Sequence, residues 1–195
     1  MRDRSEGVAL APKENALKIF TVSPKASYLY GYDMDADGYK KIREFYRAEL
    51  EKVLARGESV ETYNGGMIGA DMIFASVCAD LRDAGADLSC TMFVPYANHD
   101  ERWDEKNKRL FRSLASRMDE VRLNKEGFTK LSFFNRNNWF IAHANLCLSV
   151  TGRELGGEPL RVMNECLRRK VGVIRFADGK VSPYKAVKRL FVDAG

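Results

Sequence analysis

Six short apolar runs, separated by longer amphipathic stretches, constrain this chain more than any other feature. The runs lie at residues 17–22, 59–63, 88–94, 120–123, 146–150 and 171–176, and several are near-continuous, as strands covered on both faces should be. Between them apolar side chains return at helical spacing. Tyr39, Ile42, Phe45, Tyr46, Leu50, Val53 and Leu54 form one stripe that stops at Gly57. Further helices are expected over 72–81, 103–118, 131–142, 160–167 and 184–191. Short strand, helix, short strand is the pattern of β-α units feeding a parallel sheet, so the expected class is α/β.

A chain of 195 residues is long enough for one domain with a real core and too short for two of ordinary size. Residues 1–15 are expected to be a flexible extension and 16–195 the domain. With 45% apolar and 30% charged residues, disorder and low complexity are excluded. No apolar run approaches the roughly 18 to 20 residues that cross a bilayer, and the first residues mix acids with bases around no apolar stretch, so nothing is expected to direct export or membrane insertion. Cys78, Cys90, Cys147 and Cys166 form no CxxC pair and have no His at ligand spacing. They read as reduced core thiols of a cytoplasmic protein, with no metal site. GxSxG, HExxH and GxxxxGK[ST] are absent, which leaves hydrolase triads, zincin chemistry and a P-loop NTPase without support.

In an open parallel sheet, ligands bind beyond the carboxyl ends of the strands, so the residues after each apolar run matter most. After the second run comes Asn64-Gly65-Gly66-Met67-Ile68-Gly69-Ala70-Asp71, leading directly into a helix. Adjacent glycines let the backbone approach an anion, and the first-turn amides of a helix favour phosphate. A tight turn without ligand would look the same. After the fifth run, Thr151 and Gly152 lead to Gly156-Gly157-Glu158-Pro159, again glycine-rich and again opening a helix. The two loops are expected on neighbouring strands, facing one another across a crevice. Thr21 and Ser23 stand at the end of the first run as phosphate or ribose ligands, or as an ordinary turn. Arg136 offers a bidentate fork and Asn137 paired donors and acceptors, unless both are simply solvated. Tyr96 or Trp103 would stack on a base, and the lone His99 has no partner that would mark it for acid-base work.

Charge is unevenly placed. Residues 161–189 hold nine Lys/Arg against two acids, whereas the rest of the chain is slightly acidic. Such a field favours an anionic partner, although a solvated helix face gives the same pattern.

The stretch from Gly65 to Asp71 with Ala75 and Ala79, then Asn135-Arg136-Asn137, then Gly156-Gly157 opening a helix, resembles the YpsA-like branch of the SLOG superfamily. Tyr28 to Asp33 and Pro95 to Trp103 fit the same pattern, and the similarity runs from about residue 18 to 176. That superfamily gathers Rossmann-like domains related to the LOG phosphoribohydrolases and the DprA/Smf DNA-processing proteins. The resemblance implies a Rossmann-like parallel sheet of about six strands with helices on both faces in a single domain, a pocket for a nucleotide-derived ligand, and a homo-oligomer, a dimer. Two departures stand out. Thr21 precedes Val22 where the family carries a Thr-Gly pair, and Gly156-Gly157 is followed by Glu158-Pro159-Leu160-Arg161, without the Gly-Thr of the LOG loop PGGxGTxxE.

The expected function is therefore binding of a phosphate- and ribose-containing ligand, as a sensor, carrier or sequestering protein with no required cofactor. Amides near Gly65, Gly66 and Gly69 would hold one phosphate, Arg136 and the Gly156-Gly157 turn another polar end, and Asp71 a ribose hydroxyl or the loop itself. Two alternatives remain open. One is N-glycosidic hydrolysis of a nucleoside monophosphate with Glu158 or Asp71 as the carboxylate. The other is DprA-like binding of single-stranded DNA through the basic segment, which the lack of interleaved aromatics does not favour.

Overall fold

A computed structural model describes residues 15–152 and 156–185. The first apolar run becomes β1, Leu17–Val22, at the centre of the sheet. Alternation along it serves two cores: Ile19 packs into one, and Phe20 and Val22 into the other. The remaining elements follow in chain order as α1 (Asp37–Leu54), β2 (Val60–Asn64), α2 (Ala70–Asp83), β3 (Leu88–Val94), α3 (Glu105–Ala115) and β4 (Glu120–Leu123). After these come α4 (Ser132–His143), β5 (Leu146–Thr151), α5 (Gly157–Arg168), β6 (Gly172–Ala177) and β7 (Lys180–Pro183). The strand order is β4-β3-β2-β1-β5-β6-β7. The first six strands run parallel and β7 joins β6 antiparallel, so the fold is Rossmann-like with one strand more than expected.

Each face has its own reason to form. The stripe on α1 buries Tyr39, Ile42, Phe45, Tyr46, Leu50 and Val53 against α2 and the sheet. The chain then turns away through Gly57 at φ +75°, a left-handed conformation that only glycine adopts without steric cost. Apolar on nearly every side, α2 packs on β1, β2 and β3 beside α1 and α3, burying Met72, Ile73, Phe74, Ala75, Val77, Cys78 and Leu81. On the opposite face, α4 and α5 cover Phe20, Cys147 and Val173 with Phe140, Ile141, Val162, Met163 and Cys166.

Several boundaries differ from expectation for identifiable reasons. The third helix begins at Glu105, because the Asp104 carboxylate accepts from the Asn107 amide (2.9 Å) and caps it, which leaves Trp103 in the preceding connection. The last complete helix begins at Gly157, so the second glycine turn is itself a helical first turn. β7 forms a hairpin with β6 through Asp178 (φ +48°) and Gly179 (φ +78°), the Asp-Gly pair that such tight connections favour. Of the helix expected over 184–191, Tyr184 is irregular and donates its hydroxyl to Asn164 Oδ1 (2.9 Å). Residues 186–191 lie outside the described residues, as do Arg153, Glu154 and Leu155 after β5 and the first 14 residues of the expected extension.

The glycine loops are not on neighbouring strands. β1 lies between β2 and β5, because the chain lays β2, β3 and β4 to one side of β1 and then crosses over to place β5 on the other. This reversal opens a crevice at the carboxyl ends of β1 and β5.

No helix among the described residues is long and apolar enough to cross a membrane. Nor is there, among them, a group of three His, Cys, Asp or Glu side chains placed to hold a metal ion. All four cysteines are buried as free thiols, with Cys78 beside Cys90 and Cys147 beside Cys166. Burial pushes the Cys78 and Cys147 thiols well above the ordinary range, the neighbouring sulfur adding to the effect. The folded protein should therefore leave an aromatic disulfide reagent unreacted at pH 8 and titrate all four thiols once denatured. A thiol that reacts rapidly in the native state would contradict this packing.

Candidate functional site

The crevice deepens into a cleft of about 1790 Å³. Ser23 enters it after β1, Thr151 and Gly152 at the carboxyl end of β5, and Gly156, Gly157 and Glu158 from the start of α5. Phe133, Phe134, Arg136 and Asn137 reach it from α4, Asp71 from α2, and Arg102 and Trp103 from the connection ahead of α3. Ser23, Asp71, Arg136, Asn137, Thr151, Gly152, Gly156 and Gly157 thus share one cavity, although they come from four separate stretches of chain.

Met67 and Ile68 of the first glycine loop line the cleft, whereas the glycines of that loop support the wall from behind. Gly65, Gly66 and Gly69 are buried, and none lines the cleft. The Gly66 amide donates to Asn64 Oδ1 (3.1 Å), and the Asn64 amide group donates to Thr91 O (3.3 Å). Gly65 is crowded, not cradling: a Cβ there would lie 2.2 Å from Arg136 Nη1 and 2.5 Å from Asp71 Oδ2. Gly69 is the α2 N-cap at φ 108° and ψ −138°, a conformation open to glycine but not to other residues. Thr21 is also internal, its hydroxyl donating to Leu148 O (3.0 Å) and bonded to the Tyr46 hydroxyl.

Two charged centres face each other over Gly65. Burial pushes the Asp71 carboxyl above its ordinary value, and the Arg136 charge with the Met67 and Gly65 amides pulls part of that back. Arg136 is 7% exposed. Burial lowers its pKa while Asp71 and Glu158 oppose the fall, and a guanidinium remains a cation under such a shift. Its Nη1 donates to Gly65 O (3.1 Å), and its Nε and Nη2 donate to Asn137 Oδ1 (3.2 and 3.0 Å). The Asn137 amide group in turn donates to Glu158 Oε1 (2.9 Å), which also receives Arg161 Nη2 (2.6 Å) while Arg161 Nε donates to Oε2 (2.8 Å). Burial alone would raise the Glu158 carboxyl, but Arg161 and Asn137 outweigh it and hold it below the ordinary range. One polar chain therefore runs from the turn after β2, through α4, to the first turn of α5.

The aromatic candidates separate. Trp103 lines the cleft, whereas Tyr96 packs edge-on against His99, Phe128 and Phe133. His99 sits behind the wall, with Nε2 3.3 Å from Gly66 O and its ring between Trp103 and Phe111. Burial lowers its pKa, so it props the turn as a neutral imidazole at pH 7. Tyr28, Tyr30, Tyr32 and Phe134 also line the cleft, although sequence reasoning assigned them no role. The run Tyr28-Leu29-Tyr30-Gly31-Tyr32 directly after the first strand was the signal available for three of them. In the basic segment, Arg168 and Arg169 both clamp Glu165 (2.5 to 2.8 Å) and draw its pKa down to about 2. Lys188 and Arg189 lie outside the described residues.

The sequence profile described as the YspA SLOG family matches residues 25–171. Among curated proteins, a UPF0398 protein of Bacillus licheniformis is 26% identical over 102 residues, covering 51% of this chain and 56% of that relative. A UPF0398 protein of Bacillus thuringiensis is 23% identical over 180 residues, covering 91% of this chain and 92% of its own. A third, from Bacillus cereus, is 22% identical over 157 residues, covering 80% of this chain and 76% of its own. The first match thus spans little more than half of the relative's length.

Proposed function

Because the chain belongs to the YspA SLOG family, whose membership supports a nucleotide-related role at family level, we propose that its cleft binds a nucleotide-derived ligand. One observation carries the reading. A guanidinium has five N–H donors, and the buried Arg136 spends three hydrogen bonds on Gly65 and Asn137, which leaves two N–H groups for an anion entering the cleft. The start of α5 lies on the same cavity. Among the described residues, no atom lies within 4 Å of a notional Cβ at Gly156 or Gly157, and the N-cap residue Gly156 supplies no side-chain cap. A phosphate at Arg136 would meet the positive end of the α5 dipole, with Ser23 and Gly152 placed at the sheet reversal to meet the sugar.

N-glycosidic hydrolysis through Glu158 draws less support. Both oxygens of Glu158 are committed to Arg161 and Asn137, and the carboxylate is held below the ordinary range, which weakens it as a base toward water.

The test is mass spectrometry of small molecules released by denaturing freshly purified protein, combined with calorimetric titration of adenosine monophosphate and diphosphate. A released nucleotide-derived mass and saturable binding are expected, with no free adenine formed in the titrated sample. If neither nucleotide binds and no such mass is released, the reading fails. Appearance of adenine would move the assignment to hydrolysis.

A further inference from the structure

Resting on the nucleotide reading above, we propose that the cleft is built for a ligand carrying two bases joined through phosphate, a dinucleotide, in preference to a single mononucleotide. Size is the first argument. The cleft, partly open to solvent, spans about 1790 Å³, against the roughly 300 to 1,000 Å³ of a pocket for one drug-sized molecule. A mononucleotide seated at Arg136 would leave most of that space to water.

The lining supplies the second argument. Tyr28 and Tyr32, on the segment that follows β1, are 73% and 56% exposed. Phe134, on α4, is 40% exposed and carries the Arg161 guanidinium 4.4 Å from its ring centroid. All three rings line the same cleft as Arg136. Aromatic faces therefore come from two separate elements, with a polar centre of Arg136, Ser23 and Thr151 sharing the cavity. A flat ring left open to water beside a cation is a stacking surface for a base.

The third argument is that the tyrosine segment is fastened while its outer rings are not. The Tyr30 ring lies against Gly38, leaving no room for a Cβ there, and meets Tyr39 edge-on at 5.5 Å. The Tyr39 hydroxyl donates to Gly31 O (2.8 Å), and the Asn107 amide group donates to Tyr32 O (3.1 Å). Lys106 bridges Asp33 and Asp35 (3.0 and 2.9 Å). Tyr30, 41% exposed on the cleft but packed on Gly38 and Tyr39, helps to fasten the segment, and Tyr28 and Tyr32 are presented from a held backbone, which lowers the ordering cost of stacking.

Binding of the linear dinucleotide pApA should be compared with that of adenosine monophosphate by calorimetry, in the wild type and in Tyr28→Ala and Phe134→Ala. Both rings are exposed, so the thermal midpoint of each variant serves as the folding control. pApA is expected to bind at least about tenfold more tightly than the monophosphate, and each variant to weaken pApA by about tenfold. The monophosphate should respond to only one of the two substitutions, since its single base uses one ring. Equal affinity for the two nucleotides, or variants that leave pApA unaffected, would overturn the dinucleotide while leaving mononucleotide binding in place. If neither nucleotide binds, the nucleotide reading falls as well. A decamer of deoxyadenosine binding more tightly than pApA, with affinity falling steeply as salt rises, would overturn the proposal in favour of a nucleic-acid strand.

Discussion

Replacing Arg136 with methionine is expected to abolish nucleotide binding and to destabilise the fold by about 3 kcal/mol, lowering the melting temperature by about 10 °C. Methionine roughly fills the aliphatic volume, so little of this loss arises from a cavity. It arises from what the guanidinium leaves behind: Gly65 O loses its donor, Asn137 Oδ1 loses two, and the buried Asp71 carboxyl loses its nearest opposing charge.

That origin gives the deficit a direction with pH. Asp71 already has a native pKa above its ordinary value of 3.8, so the folded state holds this proton more tightly than the unfolded chain does. Stability linked to that proton is fully present below the ordinary carboxyl value and is lost as pH rises through the raised native one. Without Arg136 the native value climbs further, and the loss extends to higher pH. The difference from wild type should therefore be greatest near pH 7 and shrink on acidification, and adding Asp71→Asn should recover part of it at pH 7. Urea unfolding of the wild type and the two variants at pH 7 and pH 5 measures this. A deficit equal at both pH values and unmoved by Asp71→Asn would show that charge burial is not its source.

Strand and helix positions were legible because both periods are local, and buried stripes such as Tyr39 to Val53 repeat them without interruption. Strand order was not. Nothing in the residues near Gly65 or Gly157 encodes that β1 will come to lie between β2 and β5, because that depends on which way the chain crosses over the sheet. Polar candidates such as Arg136, Asp71 and Thr151 were legible from their positions near strand ends and helix starts. The division of labour between the glycine turns was not, since an identical-looking pair can be required by a ligand or by a neighbouring side chain. Among the described residues nothing crowds Gly156 or Gly157, whereas at Gly65 the space is filled from within. Packing likewise distinguishes Tyr28 from Tyr30, two identical residues two positions apart that both line the cleft: Tyr30 also lies against Gly38 and Tyr39, whereas Tyr28 is 73% exposed.

Gly65→Ala is the second substitution expected to have a large effect, and it tests whether crowding at the first turn is what positions the arginine. Gly65 is not at positive φ, so alanine meets no backbone penalty there. The obstacle is steric, with Arg136 Nη1, Arg136 Cζ and Asp71 Oδ2 at 2.2, 2.4 and 2.5 Å from the new Cβ. The backbone cannot retreat freely, because the next residue is held between Asn64 and His99 and packs on Met92 and Phe111. The guanidinium must therefore move, giving up its bond to Gly65 O. A cost of about 2 kcal/mol and a loss of nucleotide affinity approaching that of Arg136→Met are expected. Since the added methyl acts by displacing the arginine, the two substitutions share one mechanism. Gly65→Ala should cost well under half as much stability when introduced into the Arg136→Met background, where the contested space is occupied by an uncharged, more pliable side chain. Chemical denaturation of the two single variants and the double variant gives this coupling directly. Strict additivity would mean that alanine disturbs the turn itself, and that the Gly65 hydrogen atom matters for the backbone path and not for where Arg136 points.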